Sequence, residues 1–308
     1  VQEIDSVHTG ILPERGDQAA QKDIRIFIDS PVCEVHCVSV LRLNWTKSMT
    51  IPIYQVDAFT QGPFSGNPAA VCPLDAWLDD ATMQSIAAEN NLAETAFLVA
   101  TGSGYDLRWF TPAIEVDLCG HATLAAGYVV LNHLQPDLDA VAFETMSGRL
   151  VVSRDGDRLS MDFPARAPTP MGTSQALNEA LGEVPSEVHL SRDILAVFDD
   201  EASVRRLSPD QAGLFALGEG MGVIVSARGD TVDFVSRFFA PKAGVAEDPV
   251  TGSAHCTLVP FWAERLGKSC LVAHQVSPRG GELLCEHRGE RVIMSGRCTL
   301  FLTGSIHL

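Results

Sequence analysis

The chain has few cysteines, few basic residues and no long apolar run. Eight cysteines in 308 residues are too sparse for a disulfide scaffold, and no Cys-x-x-Cys pair offers a zinc or redox site. Reduced thiols and a cytoplasmic setting are therefore the expectation. Basic residues number 22 against 39 acidic ones, a net charge of −17. So acidic a surface repels phosphate backbones, which argues against a nucleic-acid partner. No apolar stretch approaches about 18 residues, so no membrane span is expected. The start shows no charged-then-apolar leader pattern. Dinucleotide and P-loop glycine motifs are missing, as are His-Glu-x-x-His, the Gly-x-Ser-x-Gly elbow and any clustered His/Cys set. Chemistry without metal or cofactor is the economical reading. What is present is an ordinary globular composition, 46% hydrophobic and 20% charged, long enough for about two domains.

Residues 1–48 carry no clear period, and Met49 is followed at once by a strand pattern over Ile51–Phe59. We read 1–48 as an extension of uncertain order. The rest contains an internal duplication. Arg108-Trp109-Phe110-Thr111-Pro112 recurs as Arg237-Phe238-Phe239-Ala240-Pro241, 129 residues on. Ser147-Gly148-Arg149-Leu150 recurs as Gly280-Gly281-Glu282-Leu283 at 133, and Phe97-Leu98-Val99-Ala100 as Val223-Ile224-Val225-Ser226 at 126. Matches in one order at nearly constant offset predict two similar domains, 49–164 and 165–308, with a cleft between them and a last strand that returns to the first. Each half reads as strands, a loop, an all-apolar helix (121–131 and 253–265) and a hairpin (148–163 and 281–294). The predicted fold class is α/β with mixed sheets, two pseudo-symmetric domains each wrapped around a central helix.

Two loops precede the apolar helices: Asp117-Leu118-Cys119-Gly120-His121-Ala122-Thr123 and Glu247-Asp248-Pro249-Val250-Thr251-Gly252-Ser253-Ala254. Helix N-termini offer unpaired N–H groups and a positive dipole end. Two facing one cleft would grip a small carboxylate or an enolate-like charge at Gly120 and Gly252; the plain alternative is a pair of ordinary caps. Glu94 has no acidic counterpart near Gly220-Met221-Gly222. It lies among Leu92, Ala93, Ala96 and Phe97, where an apolar setting disfavours its ionised form and suits it to proton transfer. Cys119 and Asp248 each stand seven residues after a proline, Pro112 and Pro241, and so read as equivalents. A thiol at Cys119 could serve as a base, but a racemase of the two-thiol kind needs a second cysteine. His121 at a helix start is expected to be neutral, and Asp248 before Pro249 to be extended, free to orient a substrate amine or hydroxyl.

Several long blocks carry a resemblance to a known family. They are Asp57-Ala58-Phe59-Thr60 with Phe64-Ser65-Gly66-Asn67-Pro68-Ala69-Ala70-Val71, then Glu89-Asn90-Asn91-Leu92-Ala93-Glu94-Thr95-Ala96-Phe97, and the two loops above. Over residues 50–308 the chain resembles the PhzF-like isomerases of phenazine biosynthesis. The resemblance implies a diaminopimelate-epimerase-like fold, a homodimer, no cofactor and a small carboxylate substrate. It places the family's acidic catalytic residue on Glu94, its active-site Gly-His pair on Gly120 and His121, and its Asp and Ser on Asp248 and Ser253. Beside these catalytic candidates, Gly120, Gly252, Cys119 and Asn67 are read as substrate-binding candidates, and no metal is expected. Gln275-Val276 and Arg297-Cys298 depart from the family pattern. Two other readings stay open: a binding protein that keeps the cleft without the reaction, and a thiol-dependent racemase.

Overall fold

The computed structural model describes residues 49–308; the extension read at 1–48 lies outside the described residues. In chain order the elements of the first half are β1 (Thr50–Ala58), β2 (Asn67–Leu74), α1 (Asp80–Asn90), β3 (Glu94–Thr101), β4 (Gly104–Phe110), β5 (Glu115–Val116), α2 (Gly120–Val129), β6 (Ala140–Thr145), β7 (Gly148–Asp155) and β8 (Arg158–Pro164). Then follow β9 (Thr169–Met171), α3 (Gln175–Leu181), β10 (Glu187–Leu190), β11 (Ile194–Val197), α4 (Glu201–Arg206), α5 (Gln211–Ala216), β12 (Val223–Arg228), β13 (Phe234–Ala240), β14 (Val245–Asp248), α6 (Gly252–Leu266), β15 (Cys270–Gln275), β16 (Gly281–Arg288), β17 (Arg291–Gly296) and β18 (Cys298–His307).

The duplication is written in the strand pairing. In the first half β2 runs parallel to β3, β3 antiparallel to β4, β4 parallel to β6, and β6, β7 and β8 follow as antiparallel neighbours. In the second half β11, β12, β13, β15, β16 and β17 repeat that series of directions in order. The series join where β8 pairs antiparallel with β17, from Pro164 opposite Arg291 to Leu159 opposite Gly296. The last strand, β18, pairs with β1. This is a mixed α/β architecture, as the apolar helices and hairpins predict.

Each sheet half curls around one helix because that helix is apolar on every side. In α2 all residues but Tyr128 are buried, and in α6 the run Ala254–Ala263 is buried throughout. Such a helix has no face to offer water, so strands must cover it all round. Leu124 and Leu258 are wholly enclosed, each worth about 2 kcal/mol in buried apolar surface. One apolar cluster runs from Val56 through α2 to Trp262 and Met294, spanning both halves. A second cluster, around Leu177, Ala196, Val204 and Leu214, lies in the segment between β8 and β12 where the sequence shows no clear period. Helix α1 starts on Asp79, whose carboxylate accepts the Thr82 N–H, and ends on Asn91 in the left-handed region, which Asn tolerates.

Candidate active site

The loop between β1 and β2 brings the first functional side chain into place. Phe59 and Gly66 sit in the left-handed region, and the loop is stapled to the second half. The Gly66 N–H donates to the Gly280 carbonyl at 2.8 Å, and the Glu282 N–H donates to Phe59 O at 3.1 Å. Arg279 donates to Gly66 O at 2.8 Å and to Asp57 at 2.9 Å. Asn67, the next residue, is thereby fixed and fully buried. Its amide nitrogen approaches Asp248 Oδ1 at 2.7 Å, the Val250 carbonyl at 2.9 Å and His121 Nδ1 at 3.0 Å. Two of these neighbours can only accept, so the nitrogen must face them.

The two helix starts meet. A Cβ placed on Gly120 would lie 3.1 Å from the Gly252 Cα, and one on Gly252 equally close to Gly120. A side chain at either position would press on the facing backbone. The capping pattern separates these helices from the others: α1, α3, α4 and α5 are capped by the side chains of Asp79, Ser174, Asp200 and Asp210. Neither Cys119 nor Thr251 caps its helix with its side chain. Thr251 spends its hydroxyl on Asp248 instead. Two positive helix ends without a side-chain cap thus converge on one point.

Glu94 opens β3, and its Oε2 lies 3.0 Å from His121 Nε2. Neither atom has a well-aligned hydrogen-bond partner among the described residues. Burial opposes a charge on His121, but the Cys119 sulfur and the Glu94 carboxylate outweigh it and hold the imidazole well above its ordinary range. Of these two neighbours the carboxylate is the lasting charge, since burial pushes the Cys119 thiol up to about 11, with Glu94 adding and His121 opposing. The carboxylate thus acts against the helix dipole, while the Asn67 amide nitrogen, a donor 3.0 Å from Nδ1, matches a ring whose Nδ1 accepts and whose Nε2–H faces Glu94. Burial likewise pushes Asp248 up to about 6, His121 opposing and Glu94 adding, with Thr251 and Asn67 stabilising the ionised form.

These groups line one cavity of about 120 Å³, room for a small molecule. Glu94, Cys119, Gly120, His121, Asp248, Gly252 and Ser253 are on its wall. Asn67 is not; it reaches the cavity only through His121 and Asp248. Arg192, Asp193 and Thr251 also line it, and none of them is picked out by sequence reasoning. Gln275 stands behind, accepting the Thr251 N–H at 2.8 Å and donating to Asp248 O at 2.7 Å. The signal for Arg192 and Asp193 is topological: they precede β11 as Pro68 and Ala69 precede the matching part of β2.

Strand register also corrects the equivalence of Cys119 with Asp248. Trp109 pairs with Val116, and its repeat Phe238 pairs with Asp248. Asp248 is thus the counterpart of Val116, and Cys119 that of Thr251. The 3-10 turn Pro241–Ala243 lengthens the second loop and shifts the count from proline. The second thiol position of a racemase is filled by Thr251, and the Cys119 thiol is held neutral. Glu94, Cys119 and His121 are close enough together to suggest an ion site. However, Glu94 faces Nε2 while Cys119 lies 3.6 Å from Nδ1, so the pair brackets the ring rather than a single point.

The sequence profile described as phenazine biosynthesis-like protein matches residues 56–304. The chain belongs to this family. An uncharacterized isomerase of Pseudomonas aeruginosa is 55% identical over 260 residues, covering 84% of this chain and 100% of the relative. The crystal structure of a PhzF-family phenazine biosynthesis protein from Enterococcus faecalis is 48% identical, with a TM-score of 0.82, covering 84% of this chain and 100% of that one. A hydroxyproline epimerase from Agrobacterium vitis shares the fold at 10% identity, with a TM-score of 0.56 over 84% of this chain and 93% of that one. With its relatives this family member is an enzyme of the isomerase class, on an epimerase-like α/β fold. Among the described residues no helix is long and apolar enough to cross a membrane.

Proposed function

We propose that the chain isomerises a small carboxylate by moving a proton between carbons, with Glu94 as the proton carrier and no cofactor. Glu94 takes a proton from a carbon next to a conjugated system and returns it elsewhere. His121, Asp248 and Ser253 orient the substrate, and the N–H groups at Gly120 and Gly252 hold its carboxylate or the negative charge that develops. The observation that carries this reading is the Glu94–His121 pair, close but unlocked, opposite two uncapped helix starts in one cavity. A carboxyl whose proton is not held by a fixed partner is free to exchange it with a ligand.

Residues 49–164 and 165–308 act as two lobes that close on this cavity, and the enzyme works as a homodimer in the cytoplasm as part of a biosynthetic route. The free state of all described cysteines supports a reducing compartment. The exposed Phe64 and Phe301, in edge contact at 5.9 Å beside the last strand, support a partner surface.

Glu94→Gln tests the reading, since it keeps the size and loses the proton carrier. The expected loss of turnover is about 10²–10⁴-fold. Turnover within about tenfold of wild type would end the proposed role.

A further inference from the structure

We infer that Arg192 recognises the acid group of the substrate and leaves the amides of Gly120 and Gly252 to the reacting end. The inference rests on the reading of this cavity as the active site and deepens it. It begins with the charges on the cavity wall. Three carboxyl groups line it: Glu94, Asp193 and Asp248. Against them stand His121 and Arg192, the latter being the one lysine or arginine on the wall among the described residues. His121 is engaged with Glu94 at 3.0 Å. An anion entering this site, in a protein of net charge −17, meets Arg192 as the uncommitted cation among the described residues.

Arg192 is also placed to serve. Its backbone is held at a tight corner: the Ser191 N–H donates to Asp193 O at 3.1 Å, and the Met221 N–H donates to Arg192 O at 3.3 Å. Asp193, buried, accepts the Gly222 N–H at 2.9 Å and locks the same corner. The guanidinium itself is loosely paired. Among the described residues the carboxylate paired with it is that of Asp117 at 3.9 Å, which is 65% exposed, an arrangement worth little in water. Guanidinium and carboxylate match as planar, two-pronged partners. The rest of the wall includes Val116, Met221 and Phe238, which suit an apolar and unsaturated body. Arg192 therefore takes the acid end of the small carboxylate already proposed. The competing possibility is an amine drawn in by the three carboxyls.

Titration calorimetry on the full chain with benzoate, benzamide and benzylamine as probes separates the two. Wild type is expected to bind benzoate in preference to both others. Arg192→Gln should weaken benzoate at least about tenfold, the loss of a charge-assisted contact, and leave benzamide unchanged. Asp117→Asn should tighten benzoate by about twofold by freeing the guanidinium, a gain that misfolding cannot produce. Unchanged benzoate affinity in Arg192→Gln, or benzylamine as the tightest probe in wild type, overturns the inference. Failure of the Glu94 role leaves this binding preference intact, so the two proposals fail separately.

Discussion

Asp248 sits where its ionisation costs the fold and serves the site. Its carboxyl is pushed from 3.8 to about 6, chiefly by burial. Between these values the folded chain keeps a proton that the unfolded chain has lost. The stabilisation is therefore fully present below about pH 4 and is lost as pH rises through about 6, by at most about 3 kcal/mol. Thermal melts should show wild type losing stability relative to Asp248→Asn between pH 4 and 7; parallel curves would contradict the burial argument. Asn67 holds Asp248 and His121 together, so Asn67→Leu should leave two buried acceptors unpaired, a cost of about 1–3 kcal/mol each. Its melt measures that cost, and histidine ¹⁵N NMR should show a changed state of the His121 ring. Glu94, His121, Asp248 and Ser253 were legible because each lies in a contiguous motif. Arg192 and Asp193, which reach the cavity, and Gln275, which supports it from behind, were not, because they come from a β-turn and a strand end far along the chain. Nothing local in their neighbours reveals that placement.

At the scale of the element, α2 and α6 were the most legible parts of the molecule, since a helix apolar on all sides can only be a core. Their capping was not legible. Gly120 and Gly252 fit a plain cap as well as a meeting of two helix ends, and only the 3.1 Å approach decides. Gly120→Ala or Gly252→Ala should each cost about 1–3 kcal/mol by overpacking backbone against backbone, despite alanine's better helix propensity. A melt checks the stability, and turnover should fall as the amides part. On α6, His255 is fully buried, bonded through Nδ1 to Thr251 O at 2.8 Å, and lowered to about 4 by burial. Its contribution to stability is present above about pH 6.5 and is lost as pH falls toward about 4. His255→Gln should therefore be less acid-sensitive than wild type.

Across the whole molecule, the duplicated order of strand directions is what the constant offsets foretold. The energetic unit is larger than one repeat. The β8–β17 ladder and the apolar cluster through both halves tie them together. A single calorimetric unfolding transition is expected, and two resolved transitions would show lobes that fold apart. The segment from β9 to α5 was not legible because its strands and helices are three to seven residues long, too short for a period to emerge. The proton transfer itself is tested most directly by incubating a cell metabolite extract in D₂O with wild type and with Glu94→Gln, and reading deuterium uptake by mass spectrometry. A small carboxylate that gains one carbon-bound deuterium with wild type and none with the variant is the expected result. Equal labelling by both proteins would show that hydrogen moves without Glu94.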